Sequence, residues 1–263
     1  MSNDPDKPVS LPSAADPWTE LRRHTPARIA LGRSGASLPT AEVLRFAAAH
    51  AQARDAVHIA LDVPTLEAVL RDDGWTSIAV HSRAPDRDTY LRRPDWGRRI
   101  DMESTERLRA AADKLAAAPI DLVVVIGDGL SAVAVQRYAL PLLHTLRVEL
   151  GDELHIAPLV IASQARVALA DEIGELLKAR AALILLGERP GLSSPDSIGA
   201  YLTFAPKVGR SDAERNCVSN IRPEGLAPAP AAKRIAWLLR EAMRRQLSGV
   251  TLKDDSALAL LAP

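Results

Sequence analysis

The chain has 263 residues, with 33 basic and 33 acidic side chains and no net charge at neutral pH. That length allows one large domain or two small ones, and the balance gives no global electrostatic case for nucleic acid or an anionic membrane surface. A lone cysteine, Cys217, excludes an internal disulfide framework and a cysteine-rich zinc site, and it suits a reducing compartment.

Hydrophobic residues make up 47% of the chain but aromatics only 3%, so an aliphatic core is expected. No apolar run approaches the ~20 residues of a membrane helix, and the polar, proline-rich start is no signal peptide. These features predict a soluble cytoplasmic protein.

Residues 1–16 read as a flexible tail of Pro, Ser and Asp. Order is expected from Trp18, with a short helix and a connector broken at Pro26. Pro39 and Thr40 open a helix over 41–56, with Val43, Leu44, Phe46, Ala47 and His50 at helical spacing. Asp62-Val63-Pro64 starts another helix to about Leu70. Residues 17–75 are thus expected to form an N-terminal helical subdomain, and 76–263 a second domain.

Ser77–His81 is a candidate strand. Residues 87–99 carry many arginines with Pro94 and Gly97, which predicts a surface loop or a partner-binding loop touching another chain or the sheet's C-terminal face. Ser104 is expected to cap a helix over 106–117. Strand 122–126, a helix over 133–149 containing Pro141, strand 155–161 and a helix over 168–179 follow. Strand 182–186, an added strand over 201–205 and an amphipathic helix over 231–246 complete the chain. Alternating strands and helices predict an α/β fold with a parallel sheet.

Two strands end alike. Leu122–Ile126 runs into Gly127-Asp128-Gly129-Leu130-Ser131, and Ala182–Leu186 runs into Gly187-Glu188-Arg189-Pro190-Gly191. Five apolar residues in a row suit a strand covered on both faces. Open α/β sheets bind ligands at the strands' C-terminal edge. The loops are therefore either two halves of one site or ordinary strand-to-helix turns.

Gly127–Ala132 also satisfies G-x-G-x-x-[G/A], the dinucleotide fingerprint. An autonomous NAD-type oxidoreductase is the alternative function on this ground. The fingerprint needs an acid at the end of the next strand, and Ile161-Ala162-Ser163 offers none. No P-loop, HExxH or G-x-S-x-G motif is present. No catalytic set is expected in this chain, and no protein-bound metal. Cys217 is either a small buried hydrophobe or part of an irregular binding segment, since small polar residues flank it.

Seven stretches carry a more specific signal. They are TPARIALGR (25–33), SLPT (37–40), AHAQARDAV (49–57), YLRRPDWGRR (90–99), GDGLS (127–131), GERPGL (187–192) and RNCVSNI (215–221). In this order they closely resemble the small (light) subunit family of ethanolamine ammonia-lyase, from about Trp18 onward. The resemblance implies a Rossmann-like, mostly parallel sheet flanked by helices, with the N-terminal helical subdomain added. It implies one subunit of an adenosylcobalamin-dependent lyase that converts ethanolamine to acetaldehyde and ammonia. A barrel-shaped large subunit carries the radical chemistry, and the small subunit covers the cofactor at their interface.

By the same resemblance the cobalamin contacts fall on Val167, Glu188 and Cys217. Trp96 stands where the family leads one to expect an aliphatic residue. The N-terminal extension is shorter than those that target some relatives to a bacterial microcompartment, so that location is the alternative to free cytoplasm. The chain has no Asp-x-His-x-x-Gly segment, which in other cobalamin proteins supplies a histidine to cobalt. This chain is therefore expected not to ligate the metal.

Overall fold

The computed structural model describes residues 17–25, 27–194 and 196–256. The expected tail at 1–16 and the break at Pro26 lie outside the described residues.

Residues Pro17–His24 form a 3-10 helix, followed by α1 (Thr40–His58) and α2 (Val63–Asp72). The Asp62 carboxylate accepts from Thr65 N at 3.1 Å and caps α2, with Pro64 in the first turn. The helix predicted from Val43, Leu44 and Phe46 forms, but all three stay exposed, at 49%, 63% and 48%. Only Ala56 of α1 is buried.

Strand β1 (Ser77–His81) is followed by α3 (Arg87–Arg92) and a 3-10 turn at Trp96–Arg98. This corrects the expectation of a loop over 87–99. The Asp86 carboxylate caps α3 through Thr89 N at 2.7 Å, and Tyr90 is fully buried. Arg92 and Arg93 lie on the exposed side of this short helix, Tyr90 anchors it, and Arg87 turns inward to Asp128.

Helix α4 (Met102–Leu115) begins earlier than predicted. Asp101 is its N-cap, accepting from Ser104 N at 2.7 Å. Ser104 instead turns inward, where its Oγ accepts from His81 N at 2.8 Å. Strand β2 (Leu122–Gly127) leads to α5 (Ala132–Leu150), which accommodates Pro141. Strand β3 is Leu159–Ser163, shifted from the predicted 155–161. Pro158 has no N–H to give a sheet, so the residues before it make only an isolated parallel bridge to the start of β2, through Leu122 N to His155 O and Ala157 N to Leu122 O.

Helix α6 (Leu169–Leu176) and strand β4 (Ala181–Gly187) come next, then β5 (Ile198–Phe204), β6 (Arg215–Ile221) and α7 (Pro228–Arg245). The segment around Cys217, expected to be irregular, is the edge strand β6. Its Asn216 side chain is placed rather than solvated. Asn216 Nδ2 donates to Leu252 O at 2.7 Å, and Asn216 Oδ1 accepts from Gly249 N at 2.8 Å. A register shift beside Gly199 also breaks the simple alternation that sequence reading relies on.

The six strands lie in the order β1-β3-β2-β4-β5-β6. The first four are parallel, and β5 and β6 are antiparallel. The fold is α/β, as the alternation of elements requires. Leu122, Val124 and Ile126 face a core shared with α2, α5 and α7. Val123 and Val125 face a second core under α4 and α6. Coverage on both faces explains the unbroken apolar runs. All four parallel strands point their C-terminal ends at one edge, where the loops meet.

Candidate functional site

The two glycine loops touch. Leu130 N donates to Gly187 O at 2.8 Å. A Cβ on Gly129, which has φ +55°, would overlap the Gly187 carbonyl oxygen and lie 2.8 Å from Leu186 Cγ. A Cβ on Gly187 would lie 2.5 Å from Asp128 O. Glycine is required here so that one loop can seat on the other. This accounts for the fingerprint glycines without a dinucleotide. The strand order 1-3-2-4 also differs from the 3-2-1-4 of a dinucleotide-binding sheet.

Asp128 is an internal brace. Its carboxylate is buried and accepts from Gln164 N at 2.9 Å and Ala165 N at 2.8 Å, with Arg87 Nη1 at 3.4 Å. Burial pushes its pKa up, against these donors and the Arg87 charge. The brace fixes the loop that leads from β3 into Arg166 and Val167. From the other side the Tyr90 hydroxyl donates to Ala165 O at 3.0 Å, and Arg166 N donates to Gly97 O at 2.8 Å. The Arg166 guanidinium stacks over the Tyr90 ring at 4.2 Å.

Between these loops lies a cavity of about 470 Å³ lined by Tyr90, Leu130, Val167, Glu188, Arg189 and Tyr201, among others. Val167 and Glu188, 21 positions apart, thus share one cavity. Glu188 Oε2 accepts from Ser197 Oγ at 2.6 Å and from Asn220 N at 3.0 Å, which ties the turn after β4 to the end of β6. Cys217 is exposed on β6 and pairs across the sheet with Tyr201, so it sits beside the cavity rather than in its wall. Although the residue as a whole is exposed, desolvation at its sulfur pushes the Cys217 thiol up, helped by the Glu188 charge and only partly offset by a hydrogen bond from Tyr201. Cys217 is therefore a poor thiolate nucleophile.

A second cavity of about 480 Å³ adjoins the first and shares Arg166 and Val167 with it. Arg98, Arg210, Ser211 and Arg215 complete much of its wall. Sequence reading missed Tyr90, Arg166 and Tyr201. A lone aromatic in a run of charges was the available signal for Tyr90. Neither cavity is lined by a histidine. Among the described residues no cluster of three His, Cys, Asp or Glu side chains could hold a metal ion.

Residues 15–253 match the ethanolamine ammonia-lyase light chain (EutC) family. The chain belongs to this family. Curated small subunits of ethanolamine ammonia-lyase are similar over nearly its whole length. The Pseudomonas syringae pv. tomato protein is 56% identical, covering 99% of this chain and 91% of that protein. The Azotobacter vinelandii protein is 57% identical over 95% and 93% of the two chains. The Xanthomonas campestris pv. campestris protein is 55% identical over 94% and 90%. As a light chain of this family, the protein has its expected contact residues grouped around one sheet edge: Val167 and Glu188 in the cavity wall, Cys217 beside it. No helix among its described residues is long and apolar enough to cross a membrane.

Proposed function

We propose that this chain is the small subunit of an adenosylcobalamin-dependent ethanolamine ammonia-lyase and covers the cofactor at the interface with a large subunit. The assembled enzyme deaminates ethanolamine to acetaldehyde and ammonia. The observation that carries the reading is the cavity at the sheet's C-terminal edge, with Val167 and Glu188 in its wall and Cys217 alongside through Tyr201.

The residues fit such a group. A corrin is an apolar disc with a rim of amides. Val167, Leu130 and Tyr201 supply apolar surface, and Glu188 Oε1 makes no hydrogen bond among the described residues and so remains an acceptor for amide N–H. A corrinoid is larger than either cavity, so this chain holds one side of it and needs a partner on the other. The exposed Val43, Leu44 and Phe46 of α1 support a partner as well, because apolar helix faces are normally covered. When bound, the cofactor supplies the radical chemistry itself, while this chain contributes position and exclusion of water. The cytoplasm, or a microcompartment within it, is the proposed location.

Glu188→Ala should weaken cobalamin binding to the assembled complex about ten- to hundredfold, as expected for loss of one charge-assisted hydrogen bond. It also frees Asn220 N and Ser197 Oγ, so Glu188→Gln, which keeps an acceptor, should lose less. Spectrophotometric titration with circular dichroism as a folding control measures both. Unchanged affinity for a folded, assembled Glu188→Ala complex removes Glu188 from the site. The purified chain alone, given adenosylcobalamin and ethanolamine, should form no acetaldehyde, because its cleft holds no acid–base pair of its own. Acetaldehyde formation without a partner would overturn that assignment of labour.

A further inference from the structure

We infer that Arg87 is a positioning residue for the cleft: its guanidinium locks the C-terminal end of α1 to the loop that presents Val167. The lock stands on the contacts of this chain alone. Its effect on cofactor affinity rests on the cobalamin reading.

Arg87 opens α3, yet its side chain is only 13% exposed and meets three other segments. Nε donates to Val57 O at 2.6 Å. That carbonyl lies in the last turn of α1, where backbone acceptors lack partners within the helix and a cation is favoured. Nη1 donates to Gln164 Oε1 at 3.2 Å and reaches Asp128 Oδ2 at 3.4 Å. The guanidinium also lies over the Tyr90 ring, 4.7 Å from its centre. One side chain of α3 thus joins α1, the loop after β2 and the loop after β3.

The loop after β3 is under strain. Gln164 has φ +54°, a left-handed backbone that a residue with a Cβ adopts at a cost. Asp128 holds the N–H groups of residues 164 and 165, and Arg87 holds the Gln164 side chain. Burial works against the Asp128 charge, and Arg87 works for it. Arg87 Nη2, meanwhile, is buried without a hydrogen-bond partner. A strained backbone and an unpaired buried donor are two local costs at one place. Such costs persist where the surrounding structure over-determines them, and they cluster at ligand sites. Val167 follows in the same loop and lines the cavity.

The test uses the assembled two-subunit complex. Arg87→Lys keeps a charge beside Asp128 but replaces the planar fork with a point donor, which cannot serve Val57, Gln164 and Asp128 together. In the complex without corrinoid, the amides of residues 164–166 should exchange with deuterium about tenfold faster, with β2 and β4 unchanged. Adenosylcobalamin should bind about three- to tenfold more weakly. Adding Gln164→Gly, which takes a left-handed backbone without steric cost, should recover most of that affinity. A residue that only supported the fold would raise exchange in the strands as well and would not be rescued at position 164.

Wild-type exchange at 164–166 in Arg87→Lys would overturn the lock. Unchanged cobalamin affinity would overturn the positioning role, as would a loss that Gln164→Gly does not reduce, because Arg87 would then act through Asp128 or α1 instead. A wild-type complex that binds no adenosylcobalamin would overturn the cobalamin reading, while the exchange result, read without ligand, would still decide the lock.

Discussion

Arg215→Ala is expected to lower the unfolding free energy by about 3–5 kcal/mol, among the largest effects of any side-chain truncation outside the aliphatic core. The Arg215 and Asp171 side chains are 3% and 1% exposed and meet at 2.6 Å. Burial works against the Arg215 charge, but Asp171 and Asp212 outweigh it and its pKa is raised. Thr203 Oγ1 at 3.1 Å and Arg210 O at 2.8 Å take up further guanidinium donors. Truncation leaves Asp171 buried without its partner, to stay charged at a cost or take up a proton, since burial already raises its pKa and its Oδ2 lacks a hydrogen bond. The cost thus comes mainly from the residue left behind. Arg215→Met combined with Asp171→Leu should accordingly recover most of the loss. Urea denaturation reads both, with the midpoint moving and the slope unchanged. A single-mutant loss under about 1 kcal/mol would show that water reaches the pair.

Gly129→Ala is expected to cost about 2–5 kcal/mol, combining a left-handed backbone with overpacking. The added methyl would overlap the Gly187 carbonyl oxygen, which is backbone and cannot turn aside. Gly35 gives the control. Its φ is +61°, but nothing lies within 4 Å of a Cβ built there. Gly35→Ala should therefore show only the conformational part, about 1–2 kcal/mol. Thermal unfolding of the two variants side by side separates strain from clash. Equal shifts would mean that the two loops are not in contact in solution. If the fold survives, Gly129→Ala should also disturb cobalamin binding, because it pries apart the two loops that wall the cleft.

The sheet was legible in the sequence where burial was complete on both faces. Leu122–Ile126 and Ala182–Leu186 can be nothing but interior, and both are fully buried strands. It was illegible where polar atoms are satisfied by local partners. Asn216 looks like a loop residue, yet it bonds backbone atoms at Gly249 and Leu252 in the edge strand. The arginines of 87–99 masked a helix because charge outnumbers the single apolar anchor, Tyr90. Pro158 displaced β3 by removing one donor. At the site, the approach of the Gly127 and Gly187 loops was open to reading from two strands ending alike, whereas Val167, Glu188 and Cys217 were singled out only by the family resemblance. The second cavity was not legible, because Arg98, Arg166 and the Arg210–Arg215 stretch come from three separate segments that only the fold assembles.

The seating of one glycine loop on the other has a thermodynamic corollary. Three independent ties hold the cleft's walls: Leu130 N to Gly187 O, the Asp128 brace on residues 164 and 165, and Glu188 to Asn220. Each wall is therefore ordered before any ligand arrives. Binding then spends little on freezing backbone freedom, and more of the contact free energy appears as affinity. A small heat-capacity and entropy cost attributable to this chain, with induced ordering confined to the large-subunit side, is the calorimetric signature of such a pre-shaped half-site.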